Sequence, residues 1–166
     1  MGLFDRFKKK EEPAVSFDDN DIIAPVVGKM IPASEISDPV FGEEMMGQTI
    51  GFIPDGGDVA CPVNGSVVVM FPTGHAFGIK GNDGNSYLVH IGIDTVSMNG
   101  KGFKPFIKQG DTVKAGQKAV QVDWNEVKKQ GYQTTTMLIV TEPKEENFKN
   151  SYIPFGTVEK NQKINN

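Results

Sequence analysis

From Ile22 onward the chain alternates short apolar runs with turn chemistry. The segments IIAPVVGKMIPA, GQTIGFIPDGG and VACPVNGSVVVMF are each rich in β-branched residues and cut by Gly, Pro, Asn or Asp, which predicts short strands. HAFGIKGNDGNSYLVHIGI has the form of a β-hairpin turning at Asn82-Asp83-Gly84. In FIKQGDTVKAGQKAVQVD, turns at Gly110-Asp111 and Ala115-Gly116 bracket strands at Thr112-Val113 and Ala119-Val122. The segment Trp124 to Gln130 predicts a short helix, with Asp123 placed to cap it. TTTMLIVTE then reads as one more strand, and YIPFGTVEKNQKINN as a short edge strand followed by a polar end expected to fray. The fold class this implies is all-β, with a short helix.

Residues 1–20 read as a flexible tail ahead of a single domain over 21–166. Leu3, Phe4 and Phe7 lie at helical spacing beside Arg6, Lys8, Lys9 and Lys10. Disorder and weak contact with an anionic membrane surface both remain open for this basic amphipathic start.

Composition narrows the function. Nineteen glycines and ten prolines fit many short elements joined by tight turns. A net charge of -4 without a basic stripe argues against nucleic-acid binding and for a partner with a basic surface. The single cysteine, Cys61, permits no internal disulfide and fits core packing. No apolar run is long enough for a membrane span or a secretory signal, so a cytoplasmic location is expected.

The chain has two histidines, His75 and His90, on the two arms of the predicted hairpin. A two-residue turn at Asn82-Asp83 would set Lys80 opposite Asn85, Phe77 opposite Leu88 and His75 opposite His90, with paired Cα atoms about 4.5 to 5.5 Å apart. A three-residue loop would throw the histidines onto opposite faces. Ser86, Leu88 and His90 share one face of their arm, and Tyr87, Val89 and Ile91 share the other. A pair of imidazoles suits phosphoryl transfer: neutral His90 attacks phosphorus, and His75 donates a hydrogen bond to the charged oxygens. The Thr73 hydroxyl is placed to orient His75, and the Gly92 carbonyl to fix the His90 tautomer. Composition alone leaves both histidines open to an ordinary surface or core role.

GNSYLVHIGIDTV (84–96) resembles the active-site signature of glucose-type enzyme IIA domains of the bacterial sugar phosphotransferase system, and FPTGHAF (71–77) resembles their second histidine segment. DPVFGEEMMG, GFIPDGGDVACPVNGSV and GDTVKAGQ extend the similarity over about residues 22–158. The resemblance implies an antiparallel β-sandwich of the duplicated hybrid motif type. It implies that His90 accepts phosphate on Nε2 from the phosphocarrier protein HPr and passes it to a sugar-specific enzyme IIB domain of the IIB/IIC transporter. It further implies that His75 stabilises the phosphoryl group, that neither metal nor cofactor takes part, and that the protein acts as a monomer. Asp38 and Asp94 match acidic residues beside that site. Pro39, Val40, Phe41, Met45, Met46, Phe71, Phe77, Leu88 and Val96 fall where the family has an apolar docking ring, with core packing as the alternative. Pro39 and the two methionines replace more usual aliphatics, which leaves the regulatory partners open.

Three rivals follow from smaller features. His90-Ile-Gly-Ile-Asp94 has the spacing of some zinc peptidases, but the chain lacks a third histidine to complete such a site. GDTVKAGQ resembles a turn of biotinyl and lipoyl carrier domains, without their modified lysine. A purely regulatory binding module is the third, and competence for phosphorylation decides against or for it.

Overall fold

The structure, a computed structural model, describes residues 15–166. The basic start at residues 1–14 lies outside the described residues. The described residues form eleven strands in two sheets. In chain order these are β1 (Val27–Pro32), β2 (Gln48–Gly56), β3 (Val59–Ala60), β4 (Gly65–Met70), β5 (Ala76–Gly81), β6 (Ser86–Ile91), β7 (Phe103–Pro105), β8 (Thr112–Val113), β9 (Lys118–Val122), β10 (Thr136–Glu142) and β11 (Gly156–Val158). Every strand pair is antiparallel. The large sheet runs β11-β1-β2-β10-β6-β5-β4-β8 and the small one β3-β9-β7.

The main core lies between the sheets. Phe52, Tyr87, Val89, Ile91 and Leu138 of the large sheet meet Val59, Val120 and Phe103 of the small one. A second, smaller cluster of Ile31, Ile36, Phe41, Ala76, Leu88, Ile93, Met137 and Ile139 covers the other face of the large sheet. This explains the unbroken apolar run of β10: Leu138 and Val140 enter the main core, whereas Met137 and Ile139 enter the second cluster. The second cluster is roofed by the segment that follows β1, which carries a 3-10 turn (Ala33–Glu35) and the short helix α1 (Pro39–Gly42). Asp38 caps α1 by accepting from the Val40 and Phe41 amides, and Pro39 stands at its first turn. The predicted helix appears as α2 (Trp124–Lys129), capped by Asp123 as expected.

One expectation is corrected. The carboxy end does not fray: Ile164 is fully buried, its amide donates to the Ile22 carbonyl, and Lys163 and Asn165 make bridges to Ile23 and Tyr152. A buried apolar residue near the terminus holds the polar end in place. Within the segment assigned to the amino-terminal tail, the Phe17 carbonyl and the Asp19 carboxylate accept from Asn64 Nδ2.

The β5–β6 register also differs. Ala76 pairs with His90, Phe77 with Val89 and Gly78 with Leu88, because the loop has three residues, 82–84, between the bonded pair Gly81 and Asn85. Gly84 takes φ +98° in this loop. The one-residue slip exchanges faces, so Phe77 goes into the main core.

Candidate functional site

His90 stands on the β6 face turned away from the main core. Its neighbours across the sheet are Ala76 on β5 and Met137 on β10, both fully buried, and Leu88 lies two residues back on the same face. The imidazole therefore has an apolar floor, and Phe41 from α1 leans on it with ring centroids 4.9 Å apart. Burial lowers the His90 pKa, opposed in turn by the Gly92 carbonyl and the charges of Asp38 and Asp94. The ring is neutral at pH 7. Nδ1 lies 2.8 Å from the Gly92 carbonyl oxygen, so Nδ1–H donates there and the lone pair is on Nε2. Gly92 makes this possible with φ +77°, and a Cβ there would meet the Gln133 carbonyl at 2.9 Å.

His75 comes to the same place by a different route from the one expected. With the observed register, a regular strand would send residue 75 to the main-core face. His75 instead ends the loop 72–75, which is closed by the Phe71 amide bonding the Ala76 carbonyl and is turned by Gly74 at φ +73°. The loop leaves the pleat, and the imidazole lands edge-on to His90 with centroids 5.0 Å apart. Phe71 packs on its other side at 5.4 Å. The ring is 3% exposed, and burial followed by the neighbouring His90 lowers its pKa to about 4. Thr73 Oγ1 lies 2.5 Å from His75 Nδ1. With the hydroxyl donating to Nδ1, Nε2–H is left free to donate.

The predicted docking ring divides. Val40, Met45, Met46 and Val96 are 40%, 68%, 40% and 51% exposed, and Pro39 is exposed beside them. Phe71 is half-buried, and Phe41 and Leu88 are buried in the second cluster under the histidines. Phe77 is fully buried on the opposite face and cannot touch a partner, a consequence of the register slip. Asp38 serves both as cap of α1 and as a charge near His90. Asp94, exposed, takes φ +64° ahead of the 3-10 turn Thr95–Met98. Sequence reasoning missed Ala76 and Met137, which flank His90 and which only the strand register reveals, and α1, which the Asp38-Pro39 pair does signal. Among the described residues no group of three or more His, Cys, Asp or Glu side chains is placed to hold a metal ion.

A neutral nucleophilic imidazole with a second imidazole donor, in a shallow apolar surface with acidic rim, can hold and release a transferable anion. The family model for the phosphoenolpyruvate-dependent sugar phosphotransferase system, EIIA 1, matches residues 20–146. The chain belongs to this EIIA family. As an EIIA domain it is a component of a sugar phosphotransferase system. It is 44% identical over 121 residues, 73% of its length, to the PTS system glucose-specific EIICBA component of Staphylococcus saprophyticus, and it spans 18% of that longer protein. The solved glucose permease IIA from Mycoplasma capricolum matches with a TM-score of 0.82 at 36% identity, over 87% of this EIIA chain and 93% of that one. The two-sheet sandwich is thus the fold of that permease domain. No helix among the described residues is long and apolar enough to cross a membrane.

Proposed function

We propose that this EIIA chain is a histidine phosphocarrier that accepts a phosphoryl group from HPr on His90 Nε2 and passes it to a sugar-specific enzyme IIB domain. The observation that carries this reading is the hydrogen bond from His90 Nδ1 to the Gly92 carbonyl, which leaves the outward nitrogen unprotonated. In the first step the Nε2 lone pair forms a P–N bond as the donor's P–N bond breaks. No proton leaves His90, because Nδ1–H stays on the ring, bonded to the Gly92 oxygen. In the second step that P–N bond breaks as the acceptor on the enzyme IIB domain attacks. His75, with Nδ1 held by Thr73, donates Nε2–H to the phosphoryl oxygens, whose charge grows as the bonds loosen. The chemistry needs positioning and electrostatics more than covalent assistance. The two relatives are a glucose-specific EIICBA component and a glucose permease IIA, which supports a glucose-type pathway. Phosphorylation also places a dianion at the centre of an apolar face, so the unphosphorylated form presents a different surface to regulatory partners.

The test is incubation with phosphoenolpyruvate, enzyme I and HPr, followed by intact mass and acid lability. Wild type and His75→Gln take up one acid-labile phosphoryl group, and His90→Ala takes up none. Onward transfer from His75→Gln to an enzyme IIB domain falls by about 10²- to 10³-fold, the usual loss on removing one preorganised donor to a developing charge. An unlabelled wild type overturns the proposal.

A further inference from the structure

Thr95 is one of the few fully buried polar side chains, and it does not touch the reacting atoms of the site. Its Oγ1 donates to the Ile91 carbonyl at 2.5 Å, across the turn that follows β6. Its methyl Cγ2 lies 2.5 Å from where a Cβ of Gly92 would stand, so it packs directly over that glycine. Both backbone polar groups of Ile91 are held: its amide donates to the His75 carbonyl at 2.7 Å, and its carbonyl accepts from Thr95. The neighbouring Ile93 amide donates to the Gln133 carbonyl. In this frame the Gly92 carbonyl, which shares its peptide group with the Ile93 amide, lies 2.8 Å from His90 Nδ1.

We infer that Thr95 is a positioning residue which, by clamping the turn over Gly92, sets the tautomer of His90. The inference rests on the reading of His90 as phosphoryl acceptor. Thr95 Oγ1 donates to the Ile91 carbonyl, and the bond ties the 3-10 turn bearing Val96 to the strand bearing His90. Without the hydroxyl, a buried carbonyl loses its donor and the turn must shift to find another. The Gly92 oxygen then no longer selects Nδ1–H, and a neutral imidazole distributes its proton over both nitrogens. Molecules with the proton on Nε2 have no lone pair facing the donor.

The experiment is ¹⁵N NMR of the histidine ring nitrogens at pH 7.5 beside the initial rate of labelling by phosphorylated HPr. Wild type and Thr95→Ser show His90 protonated at Nδ1 and label at similar rates. Thr95→Val shows a mixture of tautomers and labels about tenfold more slowly, the factor that one net hydrogen bond carries. If Thr95→Val does not fold, Thr95→Ala removes the hydroxyl without overfilling the site and carries the same expectation. Tyr87→Phe, which loses a hydrogen bond to Asp83 at the far end of the hairpin, controls for general loss of stability and keeps the wild-type tautomer. A wild-type tautomer in the folded Thr95→Val and Thr95→Ala variants, or an equal change in Tyr87→Phe, overturns the inference. A wild type that shows Nδ1–H and the tautomer response to Thr95→Val, yet is never labelled, supports the positioning role and defeats the phosphocarrier reading instead.

Discussion

At the scale of single residues, the site works by keeping two imidazoles neutral. For His75 the ordinary pKa is 6.5 and the buried value is about 4. Between these values the unfolded chain binds a proton that the folded chain does not, so unfolding is favoured as pH drops. Stability is therefore undiminished by this group above pH 6.5 and is lost as pH falls from 6.5 toward 4. His90 is shifted in the same direction by its own burial and adds to the slope. Urea midpoints taken from pH 7.5 down to pH 4.5 should fall in wild type and fall less steeply in His75→Gln. Equal slopes would show that His75 is not held neutral by the fold. The same burial favours the neutral form of His90, the form the proposed phosphoryl transfer requires. Phosphorylation of His90, as proposed, would reverse the balance at His75, because a dianion beside the ring favours its protonated form.

At the scale of elements, the β5–β6 hairpin shows both what the sequence reveals and where it stops. The alternation in Ser86–Ile91 is legible, and the structure sorts those side chains onto the two faces as the pleat requires. The loop length is not legible from Asn82-Asp83-Gly84 alone, since that triplet supports a two-residue or a three-residue turn. A set of local bonds and one long-range bond accompany the choice. Asp83 accepts from the Asn85 amide and side chain and from the Tyr87 hydroxyl, and Asn85 Oδ1 accepts from the Lys144 amide. Burial and the Asp83 carboxylate raise the Tyr87 pKa, so the phenol remains a donor. Asp83→Ala leaves a buried phenol and amide without their acceptor and should destabilise the fold by about 1–3 kcal/mol, read from urea unfolding. Its labelling rate by phosphorylated HPr should stay near wild type, because the network lies at the opposite end of the hairpin from His90. A large loss of labelling without loss of stability would contradict this separation. The register slip also accounts for the misplacement of Phe77, while the position of His75 survives it only because Gly74 lets the loop leave the pleat. Likewise the Ile22 to Ile164 pairing depends on residues at opposite ends of the chain, and local pattern carries no trace of it.

At the scale of the whole molecule, the large sheet is buried on both faces near its centre, and the roof of the second cluster is the docking surface under the proposed function. Val40, Met45 and Met46 stand out from that roof beside Asp38 and Glu43, and Val96 is exposed beside Asp94 on the turn after β6. The Met45 amide is tied to the Val40 carbonyl, so the methionines are presented by a defined turn. Their flexible side chains suit a face that, under the proposed function, meets both a donor and an acceptor. Apolar centre and acidic rim should then separate kinetically. A charge placed in the centre must be desolvated in the complex, so Met46→Lys should raise the HPr concentration needed for half-maximal labelling by about tenfold or more, at low and high salt alike. Asp94→Asn removes an exposed rim charge and should slow labelling mainly at low salt, where steering of a basic partner is strongest, with the difference from wild type shrinking as salt is added. Initial rates over a range of donor concentrations at two ionic strengths distinguish the two patterns. Equal salt dependence in Asp94→Asn and wild type would remove the rim from the docking mechanism, and an unchanged half-maximal concentration in Met46→Lys would move the donor's footprint away from this face.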